Sequence, residues 1–314
     1  MHVFYCDHFV LPLPEGHRFP MAKYSRLRER LVVDAVVDPA DVHEAPAAAW
    51  DDLALVHTAD YLRDIACGTL PAQAQRRIGF PWSPQMVERA RRSVGATLQA
   101  SRAALQWGVA ANLAGGTHHA FSDRGEGFCV FNDVAVAARA LLRDRTVRRV
   151  AVIDCDVHQG NGTAAIFSGD PAVWTFSMHG AHNFPFHKES SDLDVTFEDG
   201  AGDAEYLAQL EQHLPRVLDT NRPDIVFYLA GADPYEHDRL GRLALTIGGL
   251  RGRDRLVFEA CRTRTIPVVV VMAGGYADDI EAIVTIHANT IREAVRNVRS
   301  DQPPSRDERA HRVT

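Results

Sequence analysis

Lysine is nearly absent from this chain of 314 residues: only Lys23 and Lys188 occur among its 34 basic side chains. All basic residues together are outnumbered by 41 acidic ones, and the net charge is −7. Proteins that bind nucleic acids by neutralising phosphates carry a basic excess or stripe, so the composition argues against that class. Basic peptides stay compatible with this charge as partners.

Cysteines and long apolar runs are also scarce. The five cysteines are scattered and form no C-x-x-C pair, which argues against a disulfide framework and against a structural zinc knuckle. The longest stretch without a charged side chain, residues 103–122, contains Gln106, Asn112 and two histidines, so we expect no membrane-spanning helix. The first residues lack the basic segment and cleavage site of a secretory signal. We therefore expect a cytoplasmic protein.

Short apolar runs alternate with segments of helical periodicity, a pattern typical of a parallel sheet covered by helices on both faces. We therefore predict an α/β fold, a three-layer α/β/α sandwich with a mainly parallel central sheet. The predicted strands are residues 3–6, 31–37, 109–113, 150–154, 173–178, 225–230 and 268–273. The predicted helices are residues 84–105, 132–144, 203–219, 250–263 and 278–299.

The sequence contains no sign of a boundary between domains. A chain of this length fits either two domains or one large α/β domain. No repeat and no Gly/Ser-rich linker divides it, so residues 1–299 are predicted to form one domain. The charged, proline-containing end, residues 300–314, is predicted to be a disordered tail.

Four of the predicted strands are followed by loops that combine glycine or aspartate with other polar residues. In parallel sheets such loops meet at the carboxyl edge, where binding sites form. An ordinary turn would supply glycine and aspartate, but these loops add three histidines and a tyrosine. The loops are residues 115–119, 154–158, 231–233 and 274–276.

Asp154, Asp156 and His158 recur at every second position at the end of an apolar strand. If the extended conformation continues, their side chains project to one side and can converge. Two carboxylates and one imidazole suit a catalytic zinc site, in which a fourth position stays open for water. A helix N-cap followed by a solvated turn explains the same residues equally well. Spacing alone leaves both interpretations open.

His118 and His119 follow two glycines, which allow the backbone to approach a site closely. A base beside a metal is one interpretation, and packing is the usual role of a single histidine. Tyr276 follows the last apolar strand and could donate its hydroxyl group to an oxyanion. A packed aromatic ring after a turn is the commoner arrangement.

Five separated segments together resemble, in order, the motifs of zinc-dependent histone deacetylases, and the resemblance extends over about residues 10–298. The chain is most similar to class IV of that family, on the evidence of residues 14–17, 122–124, 158–162 and 238–241. The resemblance implies an arginase-like α/β sandwich and a metal-dependent amide hydrolase. The five segments are residues 115–120, 127–133, 154–162, 230–233 and 274–276.

The resemblance implies one Zn2+ ion per chain, with Asp156, His158 and Asp233 as its ligands. Such an ion lowers the pKa of its bound water to about 7 and polarises the acyl carbonyl. Ferrous iron (Fe2+) is left open as the native metal. The resemblance also implies a structural K+ ion that is held partly through backbone carbonyls, near Asp154, Asp156, His158, Ser177 and Met178.

His119 is implied to be the general base, and His118 is implied to orient the water and stabilise charge. The outer nitrogens of the two rings are implied to bond Asn161 and Asp154, respectively. Because Asn161 is neutral where many relatives carry aspartate, His119 should be less basic and easier to keep neutral. Tyr276 is implied to be the oxyanion donor.

Gly127 and Phe128 are implied to bind the substrate, with Phe128 as a wall of the tunnel for the aliphatic lysine stem. The expected partner is an acyl-lysine protein or peptide, or a small acylated amine. Class IV relatives suggest long fatty acyl chains, so a defatty-acylase is the preferred form of the deacylase. The oligomeric state stays open.

Three alternatives compete with an acyl-lysine hydrolase. Arginases share the fold but use two metals and would need a carboxylate where this chain has Tyr235. An amidohydrolase of small acylated amines such as acetylpolyamines would use the same catalytic groups and stays open. A binding module that holds acyl-lysine without hydrolysis should lack a ligand, the base or the tyrosine, and none of these is missing.

Residues near the expected entrance receive simpler interpretations. His179 and His182 are candidates for the rim, although loop histidines are usually just solvated. The acidic residues between positions 192 and 199 are interpreted as a solvated loop, with the attraction of a cationic substrate as the alternative.

Overall fold

The structure is a computed structural model that describes residues 1–7 and 10–299, in which eight parallel strands form one sheet. Their order across the sheet is β2-β1-β3-β8-β7-β4-β5-β6. The predicted tail, residues 300–314, lies outside the described residues. The strands are β1 (Val3–Tyr5), β2 (Val42–Glu44), β3 (Val109–Asn112), β4 (Val150–Asp154), β5 (Val173–Gly180), β6 (Leu193–Phe197), β7 (Ile225–Leu229) and β8 (Val268–Val271).

Helices cover both faces of the sheet and enclose two hydrophobic cores, which confirms the predicted three-layer sandwich. Side chains alternate along the strands, so that Val226 and Tyr228 enter one core while Phe227 enters the other. No described helix is both long and apolar enough to cross a membrane. The helices are α1 (Lys23–Val33), α2 (Trp50–Leu53), α3 (Ala59–Cys67), α4 (Ala72–Ile78), α5 (Pro84–Trp107), α6 (Asp133–Arg143), α7 (Asn161–Phe167), α8 (Asp203–Asn221), α9 (Ile247–Arg262) and α10 (Ile280–Arg299).

Five predicted helices correspond to α5, α6, α8, α9 and α10, and six of the seven predicted strands correspond to observed ones. The strand predicted at residues 31–37 is wrong, because α1 continues to Val33. Its buried face consists of Lys23, Tyr24, Leu27 and Leu31, a helical spacing that outweighs the short apolar run at its end.

Two edge strands were not predicted. The first, β2, is only partly buried, and the second, β6, contains Asp194 and Thr196. The acidic segment interpreted as a solvated loop is therefore wrong for residues 193–197, which pair with β5. Edge strands bury only part of their length, so they lack the continuous apolar runs that marked the central strands.

Candidate active site

The four polar loops lie at the ends of four adjacent strands. The sheet order places β3, β8, β7 and β4 side by side, although β8 is last in the chain. Because all four strands are parallel, their loops meet at the same carboxyl edge. The topology therefore brings together residues that are separated by more than a hundred positions in the sequence.

Asp156, His158 and Asp233 form a buried group in which one ligand atom of each lies within 4.8 Å of the others. The Nδ1 atom of His158 lies 3.0 Å from an oxygen of Asp156 and 3.1 Å from an oxygen of Asp233. Burial and the charge of Asp156 raise the pKa of Asp233 to about 7. Bound cations commonly offset the repulsion between buried acids of this kind.

Backbone N–H groups fix the orientation of both carboxylates. The amide of Gly274 donates to Asp156 at 2.7 Å, and the amide of Val157 donates to Asp233 at 3.0 Å. A Cβ atom at Gly274 would lie 1.9 Å from an oxygen of Asp233, so only glycine allows this approach. The loop glycines therefore serve the packing of the ligand group as well as the turns.

Asp154 does not join that group. Its Oδ2 atom accepts a hydrogen bond from Nδ1 of His118 at 2.6 Å, and its Oδ1 atom accepts one from the amide of Asp156 at 3.1 Å. The N-cap interpretation of the aspartates is wrong, because α7 begins after Gly160 without a side-chain cap. The alternating pattern thus supplies two members of the ligand group and one partner for a histidine.

His119 belongs to a chain of three side chains. Its Nδ1 atom lies 2.7 Å from the amide oxygen of Asn161, and the amide nitrogen of Asn161 donates to Glu126 at 2.7 Å. Because a carboxylate accepts only, Glu126 orients the amide, and the amide oxygen in turn accepts a proton from Nδ1 of His119. The Nε2 atom of His119 then keeps its lone pair.

The two adjacent imidazoles have opposite protonation tendencies, although their ring centroids are only 4.1 Å apart. Burial alone would lower the pKa of His118, but the carboxylates of Asp154 and Asp156 raise it to about 9. Burial and the neighbouring His118 and His158 lower the pKa of His119 well below its usual value. Such divergence lets one ring carry charge while the other acts as a base.

Tyr276 is buried, and its loop is held by Asp238. The amide of Tyr276 donates to Asp238 at 2.6 Å, and the other oxygen of that carboxylate accepts from the amides of Leu240 and Gly241. The Tyr276 ring meets that of His158 edge-on at 6.3 Å. Asp238 therefore joins the loop after β7 to the loop after β8, and it places the tyrosine beside the ligand group.

Phe128 and Gly127 lie at the entrance, both with positive φ angles, of 65° and 57°. A Cβ atom at Gly127 would lie 2.6 Å from the His119 ring, so glycine permits this close contact. Phe184, which the sequence did not single out, packs edge-on against His119 at 4.8 Å. The entrance opens into a cavity of about 770 Å³, while a second cavity of about 40 Å³ is lined by His118, His119 and Tyr276 among others.

Of the two rim candidates, His182 is exposed and lines the larger cavity, whereas His179 is buried. The Nδ1 atom of His179 lies 2.9 Å from the hydroxyl of Ser177, so its prediction as a rim residue is wrong. His179 lies in the buried carboxyl-terminal half of β5, so its side chain is in the interior.

Two further side chains support the site and escaped the sequence prediction. Arg253 is fully buried and pairs with Asp254 at 2.8 Å, while it donates to the carbonyls of Cys155 and Gly231 beside the ligand group. Glu126 orients Asn161. Glu126 could have been found, because it directly precedes the segment of residues 127–133, but nothing local distinguishes Arg253 from the other arginines.

Comparisons with known proteins agree with this architecture. Residues 17–291 match the histone deacetylase domain. An uncharacterised protein of Picosynechococcus is 46% identical over 298 residues, which cover 94% of this chain and 98% of the relative. A histone deacetylase-like amidohydrolase of Pseudomonas aeruginosa is 31% identical, over 94% of this chain and 81% of its own length. The fold is similar to that of an HDAC homologue from Aquifex aeolicus, with a TM-score of 0.78 at 24% identity, covering 96% of this chain and 85% of the other.

Proposed function

The chain belongs to the histone deacetylase family and is an amide hydrolase, and we propose that it removes a short acyl group from lysine with one zinc ion. The observation that carries this proposal is the buried group of Asp156, His158 and Asp233 beside the paired His118 and His119. We further propose that residues 1–299 act as one catalytic domain.

The donor set fits the proposed metal. Two carboxylates and one imidazole are three protein ligands, the number that a catalytic zinc site uses while it keeps a position for water. The backbone N–H groups of Val157 and Gly274 orient the carboxylates, as outer partners do in metal sites. When bound, zinc supplies Lewis-acid activation of the water and the acyl carbonyl. Ferrous iron is compatible with the same nitrogen and oxygen donors.

We assign the general base to His119. Its Nδ1–H is committed to Asn161, so the free Nε2 atom takes the proton of the attacking water and later gives it to the leaving lysine amine. His118, hydrogen-bonded to Asp154, carries positive charge beside this ring and stabilises the anion that develops. Tyr276 is proposed to donate its hydroxyl group to the same oxyanion.

The inner cavity favours a short acyl group. Its volume of about 40 Å³ exceeds what one water molecule needs but is far smaller than the 770 Å³ of the entrance cavity. It is lined by the catalytic histidines, Tyr276 and the Gly115–Gly116 backbone. We therefore propose acetyl-lysine in place of the long fatty acyl-lysine that the similarity to class IV suggested.

The potassium ion stays a prediction. Across the pair of strands β4 and β5, Asp154 lies opposite Ser177, so two of the residues implied to hold it are neighbours in the sheet. Hard cations bind carboxylate and carbonyl oxygens of this kind.

One lysine peptide carrying an acetyl, octanoyl or myristoyl group tests the proposal. It is incubated with metal-replete enzyme, with a chelator, and with the Tyr276→Phe variant. We expect turnover that is fastest for acetyl, that the chelator abolishes and zinc restores, and that the variant loses almost entirely. No turnover of any peptide by enzyme with confirmed metal would exclude lysine deacylation, and fastest turnover of myristoyl would exclude the short-chain preference.

A further inference from the structure

The entrance cavity, which we call the vestibule, is rich in arginine although the protein as a whole is acidic. Phe128, Phe184 and Phe186 form part of its apolar lining, and Glu126 is the only carboxylate among the described residues that line it. Five arginines line the same cavity. They are Arg18, Arg76, Arg77, Arg239 and Arg242.

Within the described residues, two of these arginines have a carboxylate partner and three have none. Arg239 pairs with Asp278 at 3.0 Å, and Arg242 pairs with Asp199 at 3.0 Å. For the other three, which are all exposed, no carboxylate lies within ion-pair distance in the part of the chain that the structure describes. These three unpaired cations are Arg18, Arg76 and Arg77. Together with the single charge of Glu126, they leave a positive excess at the mouth.

Two of the arginines lie next to residues of the proposed catalytic site. The carbonyl of Arg77 accepts from the amide of Gly127 at 3.0 Å. The Nε atom of Arg239 donates to the carbonyl of Tyr276 at 3.0 Å, and one of its Nη atoms donates to the carbonyl of Arg18 at 3.1 Å. The arginines therefore belong to the same cavity that His119, His158 and Tyr276 line.

We propose that the preferred substrate is an acyl-lysine within an acidic peptide, with aspartate or glutamate residues next to the lysine. This inference rests on the proposed deacylase function. Guanidinium groups bind carboxylates in a bidentate geometry, and a cleft lined by one sign of charge concentrates the opposite sign. The same excess disfavours cationic acetylpolyamines, the small-amine alternative left open by the sequence.

Arg76 and Arg77 also have a purely structural explanation. They occupy the last turn of α4, where positive charge offsets the helix dipole. A structural role predicts that replacing them lowers stability and affects all substrates equally. A role in recognition predicts a change in the ranking of substrates.

Three acetyl-lysine peptides of equal length, flanked by aspartate, serine or arginine, distinguish these roles. We expect kcat/KM to fall in that order, and the differences to shrink at high ionic strength. The double variant Arg76→Gln/Arg77→Gln should reduce the aspartate-to-arginine preference roughly fivefold. The matched control is Arg255→Gln, an exposed arginine of α9 outside the vestibule, which should leave the preference unchanged.

Each outcome decides one of the two proposals. Hydrolysis with no preference, or with a preference for arginine, would overturn the acidic substrate and leave the deacylase function intact. If no peptide is hydrolysed, the deacylase function fails, and fluorescence anisotropy of the labelled peptides then decides whether the vestibule still prefers acidic ones. Faster hydrolysis of the small compound N-acetylaspartate than of the aspartate peptide would overturn the commitment to a peptide.

Discussion

Two groups of histidine and aspartate in the described residues bring three ligand atoms within 4.8 Å of one another, and they differ in their surroundings. The inner group is Asp156, His158 and Asp233 at the carboxyl edge of the central strands. The outer group is His2, Asp41 and His43 beside the edge strands β1 and β2. By the distances between their ligand atoms alone, both groups could bind a metal ion.

The polar atoms of the outer group contact one another and the amino group of Met1. Asp41 accepts from the amino group of Met1 at 2.8 Å, and Nδ1 of His2 lies 2.9 Å from Nε2 of His43. The side chains of His2 and Asp41 are 27% and 28% exposed, so water competes for them. In the inner group, a buried backbone N–H group holds one oxygen of each carboxylate, and the other oxygen of each lies within 3.1 Å of Nδ1 of His158. Oriented lone pairs, more than proximity, distinguish a metal centre.

The largest expected effect comes from removing one ligand of the inner group. Asp233→Asn should abolish metal binding and lower kcat at least roughly 10⁴-fold, the scale seen when one member of a catalytic unit is lost. Asp41→Asn in the outer group is the matched control and should change neither quantity. Plasma mass spectrometry measures the metal content of each variant, and hydrolysis of an acetyl-lysine peptide measures its kcat. Loss of metal from Asp41→Asn to the same extent would remove the distinction between the groups.

The buried arginine beneath the inner group should matter for stability. Arg253→Met leaves Asp254 without its ion pair and two carbonyls without a donor, and it should lower the free energy of unfolding by about 3–5 kcal/mol. By contrast, both side chains of the pair of Arg26 with Glu281 are 48% exposed. Arg26→Met should cost less than about 1 kcal/mol. Urea unfolding compares the two variants, and equal losses would contradict the expectation.

Tyr276 should affect turnover without affecting the metal. Tyr276→Phe removes one oxyanion donor and should lower kcat by about 10²–10³, or roughly 3–4 kcal/mol, while the metal content stays at that of the unmodified enzyme. Tyr235→Phe is a matched control on the neighbouring loop, where the ring contacts His237 instead of the ligand group. A variant that loses metal together with activity would make Tyr276 a structural residue of the inner group.

The sequence predicted the central sheet and the position of the inner group because both follow from local patterns. Apolar runs such as the Val268–Val271 strand mark buried strands, and glycine followed by histidine or tyrosine marks their carboxyl ends. The edge strands escaped prediction because Glu44 and Asp194 interrupt the pattern where one side faces water.

Other residues that support the candidate site reach it only through tertiary packing. Arg253 lies in α9 within a charged segment that reads as solvent-exposed, and it becomes buried only when α9 covers the loops after β4 and β7. Phe184 reaches His119 from a loop more than sixty positions away in the chain. No local spacing encodes contacts between elements that are distant in sequence, so the support of the site required the structure.

The smallest expected effect is the contribution of the buried His57 to the pH dependence of the free energy of unfolding. The Nε2 atom of His57 accepts from the amide of Asn132, the N-cap of α6, and burial lowers the pKa of His57 to about 4. The unfolded chain, with a pKa near 6.5, binds this proton more readily. Stability from this group is therefore complete above about pH 6.5 and is lost as the pH falls toward 4, by up to about 3 kcal/mol.

His57→Gln keeps an acceptor but cannot titrate, so the free energy of unfolding should depend less on pH between 6.5 and 4 than in the unmodified protein. His43→Gln in the outer group is the comparison, because His43 is only partly buried, and this partial burial also lowers its pKa. Unfolding by urea at several pH values gives both differences. If His43→Gln changed the pH dependence of unfolding more than His57→Gln did, burial would not govern the acid sensitivity of these histidines. The difference between the interior and the edge of the fold would then not extend to proton binding.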